Sequence, residues 1–283
     1  MLRRRTFAWT SPALTLQLTP SHHAIGGVIS DLDGVAYRDE AAIPGSVEAF
    51  RIWRSHNVPY AFVTNNSTKT AEQFAAKLSG IGIVAEPKQV FTTISAVIGV
   101  LHERWPADTP IFAIGEAPLL DTLTRSGYRL TETDPHVVVL GHDHLLSYAK
   151  LRIAIRAALA GAAVIATNPD VLTPVHDGYD PCVGVSIAAV TAAVPNLALT
   201  VVGKPDPFMI EQALVALGTS REQTVMIGDR IATDIAAGKR AGLRAIQLVS
   251  DIPFNELAEF VPDLVVSSLL DLHDLAAPRT GRP

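Results

Sequence analysis

The stretch Gly27-Val28-Ile29-Ser30-Asp31-Leu32-Asp33-Gly34-Val35 holds the most chemically suggestive spacing in the chain. A short β-branched run ends abruptly in two carboxylates one residue apart, and glycine follows. The run from Ile25 to Ile29 predicts a buried strand. Asp31 and Asp33 then lie just past its carboxyl end, where open α/β sheets bind ligands. With a strand's period of two, both carboxylates would point to the same side, and Gly34 lets the backbone turn at once. Two like charges this close resist joint ionisation unless a cation or a proton intervenes. The stretch therefore calls for a metal ion, an unusual proton, or both. The plain alternative is an acidic turn after a strand, so the choice depends on what distant segments bring.

Three distant segments bring partners. The apolar run Pro59 to Val63 ends in Thr64-Asn65-Asn66-Ser67, Val201-Val202 leads into Gly203-Lys204-Pro205, and Thr224 to Ile227 ends in Gly228-Asp229-Arg230 with Asp234 close behind. In a doubly wound sheet these strand ends share one crevice. The set offers carboxylates enough for one hard cation, a hydroxyl and an ammonium. That suits a phosphoryl group with Mg²⁺, an ion that takes few carboxylates and keeps waters and a phosphate oxygen. Thr64 and Lys204 would hold phosphoryl oxygens and offset charge as it develops.

The elements that must position these groups alternate strand and helix from Ile25 onward, which predicts a parallel sheet with helices on both faces. Val47, Phe50 and Trp53 recur at helical spacing, and Trp53 is assigned to the core. The pattern changes near Trp105-Pro106. A second α/β series follows: strands at Ile111–Ile114, Val137–Leu140 and Ala163–Ala166, and helices at Ala117–Arg125, Tyr148–Leu159 and Ser186–Ala193. Residues 170–183 show neither helical nor strand period and are expected to form a loop. The first pattern resumes after Leu197. The fold class expected is thus α/β, a Rossmann-like doubly wound parallel sheet with an inserted α/β cap. The expected division is a flexible tail over 1–23, a discontinuous core over 24–105 and 198–275, a cap over 106–197, and a tail over 276–283. An insertion of that length falls within the usual domain range.

Composition narrows the function. Of 283 residues, 48% are hydrophobic and 18% charged, enough for real cores. The net charge of −5 argues against a nucleic-acid polymer or an anionic membrane as partner. A single cysteine, Cys182, excludes an internal disulfide and agrees with a reducing, cytoplasmic setting. Arg3-Arg4-Arg5-Thr6-Phe7 resembles part of a twin-arginine signal, but Pro12 and Gln17 interrupt the apolar stretch behind it, and a solvated tail is the expectation. His142-Asp143-His144 is read as a solvated loop rather than a transition-metal site.

Taken together, Asp31-Leu32-Asp33-Gly34, Val63-Thr64-Asn65-Asn66-Ser67, Gly203-Lys204-Pro205 and Ile227-Gly228-Asp229-Arg230 through Thr233-Asp234 resemble the motifs of haloacid-dehalogenase-type phosphatases. The resemblance is to the nitrophenylphosphatase and nucleotide-phosphatase, NagD-like branch, which carries a large α/β cap between its second and third motifs. Gly141-His142-Asp143 and Ala166-Thr167-Asn168-Pro169-Asp170 match within the cap. The resemblance covers roughly residues 25–270. It implies a Mg²⁺-dependent phosphomonoesterase for a small phosphorylated metabolite. Asp31 would be the nucleophile and Asp33 the general acid and base. Thr64, Asn65 and Lys204 would bind the phosphoryl group, while Asp31, the Asp33 carbonyl and Asp229 would ligate Mg²⁺. Asp234 would orient the metal site or Lys204, and Asn66 with Thr173 and Pro174 would meet the leaving group. Ala36, and the turn Pro181-Cys182-Val183-Gly184, depart from the family pattern. The competing readings are a phosphotransferase or mutase and a non-catalytic metabolite-binding protein. Oligomeric state is open, with a homodimer as the candidate assembly.

Overall fold

The structure, a computed structural model, describes residues 24–175, 178–250 and 259–275. The two expected tails and the basic Arg3-Arg4-Arg5 run lie outside the described residues.

A six-stranded parallel sheet runs in the order Leu264–Val266, Arg244–Leu248, Thr224–Gly228, Gly27–Ser30, Tyr60–Thr64, Val90–Thr92. Strand alternation divides its side chains between two layers. Val28, Phe62, Val225 and Ile227 pack with Phe50 and Trp53 of the helix Ser46–Ser55 and with Phe74 and Leu78 of Ala71–Gly80. Ile29, Ala61, Val63 and Met226 pack on the other face against Thr93–Arg104, Phe208–Leu217 and Ala236–Arg240. Trp53 is fully buried and meets Phe50 edge to face, a core role as expected. Thr70 caps the Ala71–Gly80 helix in a reciprocal pair with Gln73, satisfying donors that would otherwise lack partners.

The sheet's order reverses between Gly27–Ser30 and Thr224–Gly228, which are direct neighbours. Their carboxyl ends carry Asp31 and Asp229. The topological switch point is thus where the candidate chemistry lies.

A second parallel sheet of five strands runs Leu199–Val201, Ala163–Ala166, Val137–Leu140, Pro110–Ile114, Arg129–Leu130. Helices Tyr148–Leu159 and Val183–Ala193 cover one face through Ala154, Ala158 and Val190. Its other face joins the layer of Thr93–Arg104 through Ile111, Val137, Val139 and Ile165. Among the described residues no helix is long and apolar enough to cross a membrane.

Three local expectations change. Leu199–Val201, read as the return to the first sheet, instead pairs with Val164–Ala166 at the edge of the second. A three-residue apolar strand carries no mark of which sheet it will join. Residues 170–183 are not a loop: Leu172–Val175 and Gly178–Pro181 form an antiparallel hairpin. Pro174 and Pro181 within such short strands mask the usual strand signal. The helix carrying Asp234 opens with a π turn over Ile231–Ile235, in which the amides of Asp234 and Ile235 both donate to the Arg230 carbonyl. Such insertions cluster at functional sites because they re-aim a side chain.

Candidate active site

Asp31 leaves the end of its strand with its amide donating to the Ile227 carbonyl, 2.8 Å. The neighbouring strand therefore fixes its position. Its Oδ1 accepts from Lys204 Nζ at 2.5 Å, and the same ammonium donates to Asp234 Oδ1 at 2.6 Å and to the Val63 carbonyl at 3.1 Å. The three acceptors match the three hydrogens of an ammonium. Lys204 is buried. Burial opposes its charge, but Asp234 and Asp31 outweigh that and hold its pKa above the ordinary lysine value. A lysine expected to grip phosphate thus also aligns Asp31, and Asp234 is the group that aligns the lysine.

Asp234 is fully buried, and its Oδ2 accepts from the Arg230 amide at 3.1 Å. Gly228 makes room for it, since a Cβ there would lie 2.0 Å from the Asp234 Cβ. Asp31, Asp229 and Asp234 each bring one carboxylate oxygen within 4.8 Å of the others. Burial, then the charge of Asp234, pushes the Asp229 carboxyl up to about 7. Burial and the same Asp234 charge also raise Asp31, against the pull of Lys204. Asp229 Oδ1 is buried with no hydrogen-bond partner. A buried carboxylate oxygen without a donor is costly, and a cation would satisfy it. Gly34 closes the other side of this space: its φ is +86°, and a Cβ there would stand 2.3 Å from Asp229 Oδ2. Glycine at this turn is thus demanded both by backbone and by proximity. The donor set fits a hard divalent ion.

Asp33 opens to the crevice, yet the surrounding protein still raises its carboxyl pKa, with Lys77, Lys204 and Lys69 pulling the other way. Buried Tyr37 approaches its Oδ2 at 3.5 Å, and Lys77 lies 3.8 Å above the Tyr37 ring. A carboxyl inclined to keep its proton and open to the crevice suits a general acid.

Thr64 ends its strand, with its Oγ1 accepting from the Asn66 amide at 3.2 Å. Asn66 Oδ1 accepts from both the amide and the hydroxyl of Thr68, each at 2.8 Å. The side chain of Asn65 is committed elsewhere: Oδ1 accepts from the Lys204 amide, while Nδ2 donates to the Lys204 carbonyl and to Asp170 Oδ2.

These groups line a cavity of about 500 Å³ between the two sheets. Asp31, Asp33, Thr64, Asn65, Asn66, Lys204, Asp229, Asp234 and Thr173 all reach it. Of Pro174 only the strand position is described. Sequence reasoning left three wall residues without a role. Asp170 bridges the two parts of the chain, with Oδ1 accepting from Arg230 at 2.8 Å and Oδ2 from Asn65 at 2.9 Å. Asn168 adds a donation from Nδ2 to the Asn65 carbonyl at 2.8 Å. The likeness of Thr64-Asn65-Asn66 to Thr167-Asn168-Pro169-Asp170 was the available signal: the two polar strand ends interlock. His142 is the third, buried where a solvated loop was expected, and its amide donates to Ser67 Oγ at 3.1 Å. Burial lowers its pKa, as does His144. Cys182 lies at the same wall, with burial pushing its thiol up to about 11, which leaves it an inert thiol.

Residues 28–129 match the model of haloacid dehalogenase-like hydrolases, and residues 201–272 match a second model of HAD-like hydrolases. The chain is 34% identical over 249 residues to the dihydroxyacetone phosphatase of Corynebacterium glutamicum (strain R), covering 87% of this chain and 90% of that protein. It is 35% identical to the 5'-nucleotidase YutF of Bacillus subtilis (strain 168), covering 81% and 89%. Among solved structures, the p-nitrophenyl phosphatase from Archaeoglobus fulgidus superposes with a TM-score of 0.81 at 27% identity, over 89% of this chain and 99% of that one. NagD from E. coli K-12 superposes at 0.77 with 28% identity, over 87% and 97%. The chain belongs to the haloacid dehalogenase-like hydrolases. Within that family it falls in the NagD-like branch that the sequence motifs implied, with the α/β core and cap of that branch.

Proposed function

We propose that the chain is a Mg²⁺-dependent phosphoric monoester hydrolase that acts on a small phosphorylated metabolite through a phosphoaspartate on Asp31. One observation carries the reading. A buried carboxylate held by Lys204 stands beside a second, Asp229, whose inner oxygen lacks a donor, at the foot of a cavity sized for a small molecule. The relatives named as phosphatases and as a 5'-nucleotidase support the reaction class. Mg²⁺, held by Asp31, Asp229 and the Asp33 carbonyl, would neutralise the carboxylates and the phosphate oxygens.

A carboxylate oxygen of Asp31 attacks phosphorus, and the bond from phosphorus to the ester oxygen breaks. Asp33 gives its proton to that departing oxygen, which leaves as an alcohol. Asp33, now ionised, takes a proton from water as the water oxygen attacks the same phosphorus. The acyl phosphate bond breaks, releasing inorganic phosphate and restoring Asp31. Lys204 pulls the Asp31 carboxyl toward its ionised form against the burial that raises it, and offsets charge on the phosphoryl oxygens. Thr64 donates its hydroxyl to that group. The Asn65 backbone serves phosphate, because its side chain is taken up by Lys204 and Asp170. Asp234 keeps Lys204 in line. Asn66, Thr173 and Pro174 meet the leaving group. A lone unpaired thiol agrees with a cytoplasmic setting.

The test is phosphate release from a panel of nucleotides, sugar phosphates and triose phosphates, with and without Mg²⁺. Wild type should release phosphate with Mg²⁺ and lose activity on chelation, and Asp31→Asn should fold but release none. Substantial turnover by Asp31→Asn would overturn the reading.

A further inference from the structure

Opposite the carboxylates, the second sheet brings three other ligand-type side chains together. His142 and His144 follow the strand Val137–Leu140, and Glu116 follows Pro110–Ile114, so adjacent parallel strands deliver all three. The two imidazoles approach through their Nε2 atoms at 3.3 Å, with ring planes at 81°. On the other side of the His144 ring, Nδ1 contacts Glu116 Oε1. Between the histidines, Asp143 fixes the turn: it accepts from the Leu145 amide at 2.8 Å and pairs with Lys150 at 2.5 Å.

Two nitrogens, each about 2.0–2.1 Å from one tetrahedral ion, stand about 3.3–3.4 Å apart. The observed separation of 3.3 Å matches that spacing. A carboxylate on the far nitrogen is the usual companion of a metal-bound histidine, since it fixes the ring and its tautomer. We propose that His142 Nε2 and His144 Nε2 hold a divalent transition-metal ion of the zinc class, with Glu116 orienting His144 through Nδ1. Both imidazoles line the cavity, so water or a substrate donor can fill the remaining positions. This site differs in chemistry from the all-oxygen group of Asp31 and Asp229. Nitrogen ligands favour zinc, cobalt and nickel over magnesium.

The discriminating probe is Co²⁺, added to the full chain with Mg²⁺ saturating the carboxylates. Tetrahedral Co²⁺ absorbs visible light far more strongly than octahedral Co²⁺ in an oxygen site. The expected result is one equivalent with tetrahedral intensity, displaced by Zn²⁺. It should be lost in His142→Ala and in His144→Ala, the latter at a largely exposed side chain that tolerates truncation. Glu116→Gln should weaken binding about 10- to 100-fold. Circular dichroism melting checks that each variant folds. Absence of the band in wild type, or its persistence in the histidine variants, would overturn the site. Unchanged affinity in Glu116→Gln would overturn the part given to Glu116.

Discussion

The two walls of the cavity are built in different ways. On the core side, Asp31 and Asp229 follow neighbouring central strands of one sheet, Asp234 sits in the π turn behind the second of them, and Lys204, buried like them, reaches in from beyond the edge strand Leu199–Val201 of the other sheet and ties Asp31 to Asp234. On the cap side, Thr173 comes from a two-stranded hairpin whose Leu172 and Tyr179 are exposed. On the core wall Lys204 binds Asp31, Asp234 and the Val63 carbonyl together, and one buried Asp229 oxygen is left without a donor. The proposed function assigns chemistry to the first and selection to the second, in keeping with reacting groups that tolerate little displacement and substrate choice that varies with loops.

Substitutions should separate the walls. Asp33→Asn removes the proton carrier, and kcat should fall about 10²- to 10⁴-fold with KM changed little, measured by steady-state phosphate release. A comparable rise in KM with kcat unchanged would place Asp33 in binding rather than proton transfer. At the junction of the walls, Asp170→Ala breaks bonds to Arg230 and Asn65. A hydrogen bond to a charged group contributes about 1.5–3 kcal/mol, so KM should rise roughly tenfold or more while kcat drops less. Equal falls in kcat and kcat/KM, with KM unchanged, would show that Asp170 acts through Asn65 and Lys204 on the chemistry instead.

The smallest effect concerns pH. The Asp229 carboxyl is raised to about 7 and Asp31 is raised as well. A carboxyl raised in the folded state binds more protons there than in the unfolded chain. Without metal, stability is therefore greatest at low pH within this window and falls as pH rises from about 4 toward 7. Mg²⁺ binds the ionised form, so its affinity should fall as pH drops below 7 and its binding should release protons. Thermal melting should show a larger Mg²⁺-induced rise in Tm at pH 8 than at pH 5.5. Calorimetry in buffers of different ionisation enthalpy should show the released protons at pH 6. A rise in Tm independent of pH would contradict the raised carboxyls.

The same contrast decides what was legible in the sequence. The core wall is legible because Asp31, Thr64 and Asp229 each sit at the end of an apolar run, and Lys204 because it stands between Gly203 and Pro205, although the strand before it joins the other sheet. Gly34 was legible as a turn, but its closeness to Asp229 was not, because that contact joins segments far apart in the chain. The hairpin Leu172–Pro181 was missed because two prolines mask its period, and Leu199–Val201 was given to the wrong sheet because three residues cannot specify a neighbour. His142 was taken for a surface residue since its burial comes from the adjoining strand and from Ser67, neither of which is local. Asp170 lacked a role for the same reason, although its likeness to the Thr64 segment pointed to a shared end.

The central claim is that Asp31 forms a bond to phosphorus. Acid quenching during turnover with Mg²⁺, followed by peptide mass mapping, tests it directly. The account predicts a phosphoryl increment on the peptide bearing Asp31 in wild type, enriched in Asp33→Asn if loss of the base slows hydrolysis more than attack, and absent in Asp31→Asn. A phosphoryl group found on another residue, or turnover with no increment on the Asp31 peptide at any quench time, would contradict it.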